Sequence, residues 1–84
     1  MFENLKLTVE SLALLEEKYG SAEAALVQLE NGSFIALRDV LWSALVHEDP
    51  SLTPGDVGRM INLKDALKAV QALNEAVREA FLLH

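Results

Sequence analysis

Apolar residues crowd two stretches of this chain. Between Phe34 and His47 only Arg38, Asp39 and Ser43 are polar. A helix there is apolar almost all round, the pattern of the central helix of a small domain. Leu37, Val40, Leu41, Ala44 and Leu45 share one face, and Ile35, Trp42 and Val46 recur along another. From Leu63 to about Leu82 the spacing predicts the longest helix. Leu63, Ala66, Leu67, Val70, Leu73, Val77, Ala80 and Phe81 fall on one stripe, with Lys64, Lys68, Gln71, Glu75, Arg78 and Glu79 facing away. Within it Leu63, Leu67, Val70, Asn74, Val77 and Phe81 follow the 4-3 rhythm of a coiled-coil seam, with Asn74 as the polar member.

Capping signals divide the rest into shorter helices. Thr8 opens one that runs to about Tyr19, where Gly20 supplies a left-handed stop. Ser21 opens a second, ended by Asn31-Gly32. Ser33 caps the third, Phe34 to about His47, which Pro50 prevents from continuing. Thr53-Pro54-Gly55-Asp56 combines a Thr cap, a proline at the first helical position and an acid at the third, and starts a short fourth helix to about Ile61. Asn62-Leu63-Lys64-Asp65 repeats that logic before the last helix. Leu5 and Leu7 leave open a short extended segment ahead of the first cap. No convincing β alternation, internal repeat or linker interrupts the pattern. The expected architecture is all-α: a small bundle of about five helices, the last one longest, in a single domain over residues 1–84.

Length and charge narrow the functions open to such a bundle. A chain of 84 residues has room for one core. It typically buries about 60–65% of its unfolded surface, so its stability is expected to be modest or completed by a partner. Thirteen acids against seven bases give a net charge of −6, the opposite of a nucleic-acid grip or an anionic-membrane anchor. No stretch approaches the ~20 apolar residues needed to span a bilayer. Met1-Phe2-Glu3-Asn4 lacks the basic start of a signal peptide, so a cytoplasmic location is expected. The charge is also uneven. Residues 1–49 hold nine acids and three bases, a net of −6, whereas residues 50–84 hold four of each.

Catalytic chemistry finds no foothold. The absence of cysteine removes disulfides, thiolate metal sites and thiol nucleophiles together. His47-Glu48-Asp49 is the one polar cluster with ligand character, but a metal needs three or four ligands fixed by separate elements. The plainer reading puts His47 at the negative end of the third helix beside solvated acids. The segment Asp49 to Asp56 places Pro50 and Leu52 where a calcium loop needs oxygen ligands or free turns. The four glycines form no phosphate cradle, and Glu16-Glu17 diverge around a helix. Asp49-Pro50-Ser51-Leu52 interrupts with proline the Asp-Ser-Leu motif that carries the prosthetic arm of acyl carrier proteins. No catalytic residue, cofactor or metal is therefore expected, and the protein is expected not to be an enzyme.

The candidate residues belong instead to a partner-binding surface. Ile35, Trp42 and Val46 form an apolar strip if they are exposed, and Trp is a favoured interface anchor. If Trp42 is covered by the first and last helices, it is core. Asn74 either fixes the register of an oligomeric seam or sits at the solvated edge of a core stripe, and Phe81 closes that seam.

Two blocks carry a family resemblance. Leu7-Thr8-Val9-Glu10-Ser11-Leu12-Ala13-Leu14-Leu15-Glu16-Glu17-Lys18-Tyr19-Gly20 resembles the opening segment of the small tail assembly chaperones of long-tailed phages, prophages and gene transfer agents. Leu37-Arg38-Asp39-Val40-Leu41-Trp42-Ser43-Ala44-Leu45-Val46-His47-Glu48-Asp49-Pro50, continuing through Ser51-Leu52-Thr53-Pro54-Gly55-Asp56-Val57-Gly58-Arg59-Met60-Ile61, resembles a second segment of that family. There a Leu- and Ala-rich helix precedes a His-Glu-Asp-Pro-like turn, a Leu-Thr-Pro helix start, and Val-Gly before a final alanine-rich helix. The likeness extends over about residues 5–81 and rests on helix punctuation rather than chemistry. It implies a protein that coats the long helical tape measure protein during tail morphogenesis and is absent from the finished particle, in the cytoplasm of the phage host.

Three functions are open to such a chain. The first is a tail assembly chaperone with a helical client. The second is a small acidic regulatory or inhibitory adaptor that binds a host protein through the acidic half. The third is a homo-oligomer assembled through the 4-3 seam.

Overall fold

Side-chain oxygens set where each helix begins. The computed structural model describes the backbone of residues 5–82 and the side chains of residues 5–78. It comprises α1 (Val9–Tyr19), α2 (Ala22–Glu30), α3 (Phe34–Leu45), α4 (Pro54–Met60) and α5 (Leu63–Leu82), with no strand among the described residues. The Thr8 hydroxyl accepts from the Ser11 N–H while the Ser11 hydroxyl accepts from the Thr8 N–H, a reciprocal cap on α1. Thr53 and Asp56 do the same for α4. Ser21 and Ser33 accept from Ala24 and Ala36, and Asn62 accepts from Asp65. Each such cap contributes about 1 kcal/mol.

Gly20 and Gly32 end α1 and α2 with φ of +86° and +85°, a left-handed backbone that a side chain would strain. The third helix stops at Leu45, two residues short of His47. The Leu45 carbonyl accepts from both the Glu48 and the Asp49 N–H, and the chain turns off there. Leu5 is buried in the core and Leu7 is half-buried, so this first segment packs as irregular chain rather than as a strand.

The apolar character of α3 makes it the axle of the bundle. It packs against α1, α2, α4 and α5, while α1 and α2 also pack on each other. Leu37, Val40, Leu41 and Ala44 of α3 meet Leu15 of α1, Ala25 and Leu29 of α2, Val57 of α4 and Leu73 of α5 in one core cluster. Burying a side chain the size of Leu or Val is worth ~1.5–3 kcal/mol. Polar groups trapped in this core are all satisfied. The Ser11 hydroxyl donates to the Ser43 carbonyl at 2.8 Å, and the Ser43 hydroxyl donates to the Val40 carbonyl at 2.7 Å. No buried side-chain nitrogen or oxygen among the described residues lacks a partner.

The single stripe read for the last helix is corrected by the packing. Among its described side chains α5 buries Ala66, Ala69, Leu73 and Ala76, whereas Leu63 and Leu67 are 77% and 74% exposed; the side chains of Ala80 and Phe81 lie outside the described residues. Val70 and Val77 lie half-buried at the boundary. Alanine side chains let one helix axis approach another closely, and among the described residues α5 uses that face against α3 alone. Its apolar positions thus split into a small-residue face turned inward and a leucine face turned out.

Candidate functional site

Trp42 sits in the third turn of α3, half-buried and packed against the core. Its indole Nε1–H donates to the Leu52 carbonyl at 2.9 Å, tying α3 to the loop that leads into α4. The Lys18 ammonium of α1 lies 5.8 Å from the ring centroid, within cation–π range. Val46, at the C-cap of α3, is also half-buried, whereas Ile35 near its N-terminus is 61% exposed. The three residues share a face by spacing, but the structure covers two of them in part and leaves one open.

Asn74 is exposed on the outer side of α5, in line with Leu63 and Leu67. Phe81 belongs to α5 by its backbone, and its side chain lies outside the described residues. Met60 and Phe34 are exposed apolar residues that helical spacing does not single out. Nor does spacing turn Leu63 and Leu67 outward. The signal for them is present in Ala66, Ala69 and Ala76, which mark a close-packing face of their own.

Beside the apolar surface lies one buried polar constellation. The Asp39 carboxylate is 2% exposed and accepts from the Tyr19 hydroxyl at 2.7 Å and from the Arg38 Nε–H at 3.1 Å. Burial pushes the Tyr19 phenol up to about 12, helped by its bond to Asp39 and by that carboxylate's charge, against a smaller opposing effect from Arg38. Gly58 of α4 lies under the Arg38 stem, where an added Cβ would stand 3.1 Å from Cδ. These contacts join α1, α3 and α4, and both carboxylate oxygens of Asp39 are engaged in them. The constellation is structural.

Two further acids, Asp49 and Asp56, are occupied by turns. The Asp49 carboxylate accepts from the Ser51 N–H at 3.1 Å and the Ser51 hydroxyl at 2.6 Å. Asp56 is held below the usual carboxylate range, first by the Thr53 N–H that donates to it, then by the Thr53 hydroxyl, with Arg59 contributing at 2.7 Å. Among the described residues no group of three or more His, Asp or Glu converges as a metal site, and no helix is long and apolar enough to cross a membrane. No protein-family model matches the chain, and no curated protein or solved structure matches it either.

Proposed function

We propose that this protein is a non-enzymatic tail assembly chaperone that binds the tape measure protein during phage tail morphogenesis. The resemblance of residues 7–20 and 37–61 to that family suggests the role, and one observation supports it: among the described residues no helix packs on the exposed leucine face of α5. Leu63 and Leu67 stand one turn apart with Met60 just before them, 46% exposed. A strip of this kind accepts an amphipathic client helix by burying its i, i+4 apolar positions. Phe34 and Ile35 offer a further exposed pair at the start of α3.

Co-expression with the tape measure protein encoded alongside tests the reading. The client is expected to remain soluble and to co-purify with the chaperone. A client equally soluble without it ends the proposal. The acidic adaptor reading is favoured by the exposed acids of α1 and α2. It predicts partner binding that collapses with added salt, whereas apolar client binding is fairly salt-tolerant.

A further inference from the structure

The bundle separates its charge across α3. On one side α1 and α2 carry Glu10, Glu16, Glu17, Glu23 and Glu30, all exposed, against Lys18 alone. On α5 the outward positions from Leu63 to Gln71 are Leu63, Lys64, Leu67, Lys68 and Gln71, with two cations and no anion. Among the described residues α5 makes no contact with α1 or α2. The acidic and basic surfaces therefore cannot neutralise each other within one molecule.

They match between two molecules. Leu63 and Leu67 form one column on α5 and Lys64 and Lys68 the column beside it, each pair about 6 Å apart along the axis. On α2 the residues Glu23, Val27 and Glu30 share a face, with Val27 47% exposed between two glutamates about 10 Å apart. An apolar centre flanked by acids thus faces an apolar column flanked by lysines. We propose that the outer face of α5 docks on the α2 face of a second copy of this chain, head to tail. Pairing α5 with α5 in parallel instead sets Lys64 and Lys68 against their own copies, and in antiparallel it offers them Glu75 alone, with Arg78 beside it. Contact between two different surfaces is heterologous, and where its rotation does not close it builds open chains. Leu63 and Leu67 are also the strip proposed for the client, so a second copy and a client helix compete for this face.

Charge reversal tests it. Sedimentation of the full chain in about 0.1 M salt, where the Debye length is ~10 Å, is expected to show mass rising with concentration, and about 1 M salt to reduce it. The pair K64E/K68E and the pair E23K/E30K each weaken self-association by about tenfold, as two lost exposed ion pairs allow. Far-UV helicity is expected to stay unchanged, since all four positions are exposed. Mixing the two variants restores assembly, because each presents a surface complementary to the other, and the quadruple variant restores it alone. A wild-type chain that remains monomeric at millimolar concentration overturns the proposal. So does an E23K/E30K variant that assembles like wild type, since α5 would then be pairing with some other surface.

Discussion

The hydroxyl of Tyr19 donates a 2.7 Å hydrogen bond to Oδ2 of Asp39, joining the last turn of α1 to the middle of α3. Twenty residues separate the two in sequence, and the carboxylate they enclose is almost wholly shielded from water. Replacing Tyr19 with Phe keeps the ring but leaves one oxygen of a buried anion unpaired. The expected loss of stability is ~1.5–3 kcal/mol, measured by denaturant unfolding. Asp39→Asn in the same background is expected to recover part of it, because the neutral amide is cheaper to bury.

The same bond sets a pH dependence on the alkaline side. The Tyr19 phenol titrates near 12 in the folded protein and near 10 when unfolded, so folding favours its neutral form. Its contribution is complete below about pH 10 and is lost as pH rises through about 12. Tyr19 is the only tyrosine, so phenolate absorbance reports this group alone. The Tyr19→Phe variant is expected to show a flatter fall in stability over that window.

Trp42 is the only tryptophan, and its fluorescence reports the junction of α3 with the Leu52 loop. Trp42→Phe removes the donor to the Leu52 carbonyl and is expected to cost about 1 kcal/mol. Trp42→Ala is expected to cost about 3 kcal/mol, the low end for a large aromatic because the ring is only half-buried. Equilibrium unfolding followed by circular dichroism measures both.

The effect of a side chain at Gly58 depends on a second residue. Alanine there gains about 1 kcal/mol of helix propensity but presses on the Arg38 stem, which the bond to Asp39 holds in place. Gly58→Ala alone is expected to be close to neutral. With Arg38→Ala also present, the same change is expected to stabilise by about 1 kcal/mol, and a double-mutant cycle of unfolding free energies checks it.

Helix starts and stops were legible because caps are local chemistry: Thr8, Ser21, Ser33 and Thr53 each satisfy an N–H three residues ahead. The five-helix architecture with its longest helix last came from them. Which face of α5 turns inward was not legible. Spacing alone weighs Leu63 and Leu67 above Ala66 and Ala69, yet the distance between helix axes decides, and small side chains win a close contact. Nor was the burial of Asp39, since its partner Tyr19 comes from another helix. Of the candidate binding residues, Ile35 and Asn74 are open and Trp42 and Val46 half-covered, a distinction that depends on where the Leu52 loop and α1 lie.

The alanine face of α5 has a mechanical consequence. Ala66, Ala69 and Ala76 lose no rotamer freedom on docking but bring little area to the contact, so Leu73 is the bolt of the joint. Leu73→Ala is expected to cost ~2–5 kcal/mol and to release α5 while α1–α4 hold. Amide exchange in α5 is expected to run faster than in α3 even in the unaltered chain. A longest helix seated on α3 alone by so narrow a face is expected to open before the rest of the bundle does.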